Sequence, residues 1–134
     1  MAWIRILLVV DYSLGSDHAV REFAERKWPD RTIVRVLSVV ENAPPSAAEL
    51  WFDAGGSLEA VLNARKGNSE ELVTGMARLL RAKGITAETA VRRGRPRKVI
   101  AAEAKAWSAD RVIIGSQGIP GTKDTEGNSP VPKG

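Results

Sequence analysis

The chain of 134 residues has the length of one ordinary domain, and its 43% apolar content is enough for a core shared by two layers of secondary structure. It has no cysteine and one histidine, which excludes disulfide frameworks, thiol nucleophiles and cysteine- or histidine-rich metal sites. No stretch reaches the roughly 20 unbroken apolar residues of a membrane span, so we expect a cytoplasmic protein whose net charge of +4 is compatible with phosphate-bearing ligands.

The first half of the chain predicts two buried strands separated by a helix. Residues 4–10 form an apolar run rich in Ile, Leu and Val, which is typical of a strand buried on both faces. A helix is predicted from Asp17, capped by Ser16 or Asp17 and stopped by Pro29. The β-branched run 32–40 predicts the second strand.

A further helix and strand follow. Apolar residues at helical spacing between residues 72 and 80 predict a helix that ends at Gly84. Residues 67–68, a Gly-Asn pair, are expected to break this helix in two. Residues 85–91 alternate loosely and predict a third strand.

The last predicted elements complete a parallel α/β arrangement. Pro96 suits the first turn of a helix, and residues 112–114 predict a short fourth strand. Strands that alternate with helices indicate an open parallel sheet, Rossmann-like, covered on both faces by right-handed crossovers. We therefore assign residues 1–118 to one three-layer α/β domain. Residues 119–134, with three prolines and three glycines, are assigned to a loop or tail.

The carboxyl ends of the first and fourth strands are the candidate ligand site, because open parallel sheets bind ligands where the winding direction reverses. Asp11 follows the first strand and Gly115-Ser116-Gln117-Gly118 follows the fourth. Glycines allow close backbone approach, and free amides hold phosphate oxygens. Asp11 would repel phosphate and is better suited to accept hydrogen bonds from a ribose hydroxyl or an exocyclic amine. Each feature also has an ordinary interpretation as a turn or helix cap.

Several segments resemble the universal stress protein family when taken together. The resemblance covers residues 4–118 and rests on ILLVVDYS (6–13), VLSVV (36–40), VRRGRP (91–96) and ADRVIIGSQG (109–118). It implies a sheet of strand order 3-2-1-4-5. For the nucleotide-binding branch of the family it also implies a Gly-x2-Gly-x9-Gly-(Ser/Thr) signature around the phosphates.

The resemblance also implies roles for individual residues. Asp11 and Val39 would flank adenine and ribose, and Gly115 and Gly118 would line the phosphate loop. The residues expected to bind the nucleotide are Asp11, Tyr12, Ser13, Val39, Gly115, Ser116, Gly118, Gly127 and Ser129. The implied ligand is ATP or a related adenine nucleotide, with or without Mg²⁺, and the implied assembly is a homodimer.

The C-terminal part departs from the family pattern. The signature requires glycine at position 128, where this chain has Asn128 between Gly127 and Ser129, either a shifted signature or a chance match. No fourth helix or fifth strand can be found before Gly134, so the predicted sheet is 3-2-1-4, with an atypical or truncated C-terminus. Loss of that strand would remove the element through which relatives commonly dimerise.

Three functions stay open at this point. The first is an ATP-binding, stress-response regulatory protein, in which hydrolysis is slow at most because no lysine or carboxylate set is placed to hold a metal and a water. The second is a family member that does not bind nucleotide and acts as a dimer or partner-interaction scaffold, as the broken signature favours. The third is DNA binding through Arg93-Gly94-Arg95-Pro96, which resembles the core of an AT-hook but is expected to join a strand to a helix.

Overall fold

A computed structural model of the protein describes residues 2–11, 14–53 and 55–114. Its elements in chain order are β1 (Ile4–Val9), α1 (Leu14–Glu25), β2 (Thr32–Val40), a short π-helical turn (Glu49–Asp53), α2 (Leu58–Ala82), β3 (Thr86–Arg93), α3 (Pro96–Trp107) and β4 (Arg111–Ile114). The strands pair in parallel in the order β3-β2-β1-β4, which confirms the predicted α/β class and strand order. The predicted tail at 119–134 lies outside the described residues. In the part of the chain that the structure describes, no helix is both long and apolar enough to span a bilayer.

Both faces of the sheet are buried, and this explains why β1 reads as a continuous apolar run. Ile6 and Leu8 point to the face covered by α1 and α2, whereas Leu7 and Val9 point to the face covered by α3. Side chains alternate between the two faces of a strand, so a sheet with helices on both sides needs apolar residues at successive positions. The central strands are thereby held rigidly, and the loops that follow them begin from fixed points.

α2 runs without a break through Gly67 and Asn68, so the predicted interruption of this helix is wrong. A glycine inside a helix costs only about 0.5–1 kcal/mol relative to alanine. Buried residues on both sides of it, Val61 and Val73 among them, hold the helix on the sheet. Ser57 caps the N-terminus through its side-chain oxygen. The helix therefore reaches further towards the carboxyl edge of the sheet than the sequence pattern indicated.

α1 begins earlier than predicted. Its first residue is Leu14, so Ser16 and Asp17 lie within the first turn and the predicted cap is wrong. At the other end, the indole N–H of Trp28 donates to the carbonyl of Phe23 at 2.9 Å. The two rings are stacked with their centroids 4.4 Å apart, which packs the turn into β2 against the end of the helix.

The basic turn between β3 and α3 is built into the fold, as predicted. The Gly94 N–H donates to the carbonyl of Val40 at 3.0 Å. Its φ of 139° favours glycine, and a Cβ there would lie 2.9 Å from Cγ2 of Val99. Arg95 occupies the N-cap position and Pro96 the start of α3. DNA binding by this turn stays a prediction.

A buried carboxylate docks α3 on the sheet. Glu103 of α3 is 8% exposed and accepts hydrogen bonds from Nη1 of Arg35 at 2.6 Å and Nε of Arg92 at 2.9 Å. The Arg35 guanidinium also lies 4.6 Å from the centroid of the Trp107 ring and donates to Glu88 at 2.6 Å. One face of β2 therefore carries a charge that the helix must neutralise.

We expect Glu103→Gln to lower the free energy of unfolding by about 1–3 kcal/mol near neutral pH, because Arg92 loses its charged acceptor and Arg35 loses one of its two. Burial raises the pKa of Glu103, but the hydrogen bonds and charges of Arg92 and Arg35 outweigh it and hold the pKa below its ordinary value of 4.5. Stability from a lowered carboxyl pKa is present above the ordinary value and is lost as the pH falls through the folded-state pKa.

The check is urea unfolding of wild type and Glu103→Gln across this pH range. The difference between the two proteins should shrink as the pH falls below the ordinary glutamate pKa. Glu71→Gln, on the exposed face of α2, is the matched control and should behave as wild type. A difference that persists unchanged into acid would contradict the assignment.

Candidate functional site

A cleft of about 350 Å³ opens at the carboxyl edge of the sheet, between the ends of β1 and β2 and the first half of α2. β1 and β2 are parallel, with Val9 opposite Leu37, and Asp11 and Val39 each follow two residues later. Both residues line the cleft. The volume falls within the roughly 300–1,000 Å³ of small-molecule pockets. The register of two buried strands thus brings two predicted site residues together.

The lining of the cleft includes apolar surface and one pair of buried hydroxyl groups. Leu72 contributes apolar surface, whereas Val39 lines the cleft from the end of β2 with its side chain packed in the cluster on the α3 face. Ser38 of β2 donates a hydrogen bond to Ser69 of α2 over 3.0 Å, and both side chains are buried. Each hydroxyl satisfies the other, so the pair can remain buried without a ligand.

The described part of the cleft is acidic. Asp11, Glu41 and Glu49 line it, and Arg65 is the one cation among the described lining residues. Hydrogen bonds from Arg65 hold the pKa of Glu49 below its ordinary value, although burial acts in the opposite direction. With three carboxylates and one guanidinium among its described residues, the lining carries a net negative charge. Such a surface accepts hydrogen bonds from hydroxyl and amine groups and disfavours phosphate.

The described residues hold no group of histidines and carboxylates that could bind a metal ion. Of the predicted nucleotide-binding residues, Asp11 and Val39 are described, and the others lie outside the described residues: Tyr12, Ser13, Gly115, Ser116, Gly118, Gly127 and Ser129. β4 pairs with β1 so that Ile114 lies opposite Val9, and it therefore ends at the same edge of the sheet. The meeting of Asp11 with the glycine segment stays a prediction.

Sequence reasoning missed the residues of the cleft that α2 and the preceding loop supply. Glu49 lies in a stretch with no periodic pattern, and Arg65 precedes the apolar residues 72–80 on which the helix prediction rests. The sequence did contain one signal for Ser38. From residue 33 onwards β2 is apolar except for Arg35 and Ser38, and Ser38 is the one residue there with a hydroxyl group. No local pattern indicates that Glu49 and Arg65 form a pair.

Comparison with known proteins identifies a family of similar sequences. The chain matches the profile of the universal stress protein family over residues 3–125. Among curated protein sequences nothing matches.

Solved structures share the fold. The universal stress protein UspA from Lactobacillus plantarum is 18% identical with a TM-score of 0.66, over 99% of this chain and 90% of that chain. A universal stress protein family member from Burkholderia pseudomallei is 12% identical with a TM-score of 0.66, over 86% of this chain and 83% of that chain. A universal stress protein family protein from Arabidopsis thaliana, solved with AMP bound, is 18% identical with a TM-score of 0.59, over 88% of this chain and 80% of that chain.

Proposed function

The chain belongs to the universal stress protein family, and we propose that it binds an adenine nucleotide such as ATP as part of a regulatory role in the stress response. The observation that carries the proposal is that Asp11 and Val39 line one cleft at the carboxyl edge of a parallel sheet. The AMP bound to the Arabidopsis thaliana protein of the same fold supports the choice of ligand class.

The chemistry of the cleft suits the nucleoside end of the ligand. Asp11 accepts hydrogen bonds from ribose hydroxyls or an exocyclic amine, Val39 lines the cleft at the end of β2, and Leu72 provides apolar surface for the adenine ring. The excess of carboxylates directs the phosphates away from the described part of the cleft. We expect them to extend towards the segment after β4, where the family resemblance implies that Gly115 and Gly118 line the phosphate loop.

We expect calorimetry to show binding of ATP and of adenosine, because the described cleft holds the part that the two ligands share. Inorganic triphosphate should bind more weakly than either, since the acidic lining offers it no partner. The test uses the full chain with each ligand at up to millimolar concentration, together with mass spectrometry of the purified protein for nucleotide carried through purification.

No heat with millimolar ATP, combined with no nucleotide carried by the purified chain, would contradict the proposal. The scaffold function would then be the better explanation. An observation that favours this second candidate is the exposure of Trp51, 64%, in the π-helical turn and of Leu58, 57%, at the start of α2. Large exposed apolar side chains that form a patch are typical of a partner surface.

A further inference from the structure

The guanidinium group of Arg65 spans the loop that forms one side of the cleft. Its Nε and Nη2 donate to the two carboxylate oxygens of Glu49 at 2.6 and 2.8 Å. Its Nη1 donates to the backbone carbonyls of Glu41 and Ala43 at 2.8 and 2.9 Å. One side chain of α2 therefore holds both ends of residues 41–49, which we call the wall segment.

The geometry of this contact depends on arginine. The planar guanidinium matches the two oxygens of a carboxylate with parallel hydrogen bonds, which the single ammonium of lysine cannot do. The Arg65 side chain is 19% exposed and that of Glu49 is 28% exposed, so water competes only in part. The hydrogen bonds that Arg65 donates to Glu49 also raise the pKa of Arg65, against the effect of burial. Both charges are therefore retained over the ordinary pH range.

The wall segment is ordered where Arg65 attaches to it. The amide of Glu49 donates to the hydroxyl of Ser46 at 3.0 Å, and the amide of Leu50 donates to the carbonyl of Ser46 at 2.9 Å. Because Glu41, Ala43 and Glu49 all line the cleft, the position of this turn determines the position of that side of the cleft.

We infer that Arg65 is a positioning residue, which holds the wall segment in its ligand-ready arrangement and does not contact the phosphates of the nucleotide. The inference rests on the proposed function and adds the residue that preorganises the site. Nε and both terminal nitrogens of Arg65 are already engaged by the wall segment. Without the guanidinium, the ligand would have to order residues 41–49 on binding, which lowers its affinity.

The opposite assignment is a direct phosphate ligand, since Arg65 is the one cation in the described lining of an otherwise acidic cleft. Adenosine and ATP separate the two roles. A positioning residue affects both ligands equally, because it acts on the cleft that holds their common part. A phosphate ligand affects ATP alone.

We expect Arg65→Met to weaken the binding of adenosine and of ATP by the same factor, about tenfold. Arg65→Lys should not restore affinity, because it keeps the charge without the planar fork. Lys66→Met removes the neighbouring, exposed cation on the same helix and should leave both affinities unchanged. Adding Glu49→Gln to Arg65→Met should cause little further loss, because the partner has already been removed.

Hydrogen exchange in the unliganded protein provides a readout that needs no nucleotide. In Arg65→Met the amides of Glu49 and Leu50 should exchange at least about tenfold faster, whereas the amides of β2 keep their wild-type rates. Unchanged exchange at these two amides, or a loss of affinity confined to ATP, would overturn the inference. If wild type binds neither ligand, the proposed function fails, and the exchange rates alone decide whether Arg65 holds the wall segment.

Discussion

Asp11→Ala is expected to weaken ATP binding by about ten- to a hundredfold, since a hydrogen bond to a charged group contributes about 1.5–3 kcal/mol. Asp11 lies on the cleft directly after β1, and its carboxylate oxygens can accept two hydrogen bonds at once. Calorimetry or competition with a fluorescent adenine nucleotide measures the change. Adenosine should lose affinity by a similar factor, because the contact is with the nucleoside end.

Asp30→Ala is the matched control for this prediction. Asp30 is exposed and precedes β2 at the amino edge of the sheet, opposite the cleft, so the same loss of a carboxylate should leave affinity unchanged. Urea midpoints of both variants show whether folding is intact. An ATP affinity for Asp11→Ala equal to that of wild type would mean that the adenine end lies elsewhere.

Leu8→Ala is expected to lower the free energy of unfolding by about 2–5 kcal/mol. Leu8 has 0% exposure and lies in the middle of β1, an inner strand between β2 and β4. Its side chain belongs to the cluster between the sheet and helices α1 and α2, where removal of three carbon atoms leaves a cavity. The total free energy of unfolding of a small domain is only about 5–15 kcal/mol, so this loss is a large share of it.

Equilibrium unfolding in urea tests this prediction. Leu58→Ala is the same substitution at a side chain that is 57% exposed, and its effect should stay within about 0.5 kcal/mol. Although β1 also positions Asp11, Leu8→Ala should reduce ligand affinity only to the extent that it unfolds the protein. Equal effects of the two substitutions on the unfolding free energy would contradict the burial that we describe.

The two predictions depend on different levels of the structure. Leu8 matters through transfer of apolar surface from water, which any buried position in a strand provides. Asp11 matters through its place at the carboxyl edge, which only the parallel arrangement of β1 and β2 provides. A variant can therefore lose the site and keep the fold.

The strands could be predicted from the sequence because a parallel strand buried on both faces leaves a continuous apolar signal, whereas their order came from the family resemblance. The runs at 4–10 and 32–40 correspond to β1, observed at Ile4–Val9, and to β2, observed at Thr32–Val40. Asp11 could also be predicted as a site residue, since its place directly after a strand is a local property. The family resemblance added Val39 and the choice of an adenine nucleotide.

Tertiary structure alone decided the length of α2 and the composition of the cleft. Packing of the helix on the sheet outweighs the weak local preference of Gly67 and Asn68 to end it. The same packing brings Arg65 to Glu49, 16 residues away in the chain, and Ser38 to Ser69, 31 residues away. Periodicity and turn signals encode neighbours along the chain, whereas these contacts arise from the way one helix lies across the end of one strand, which no local pattern specifies.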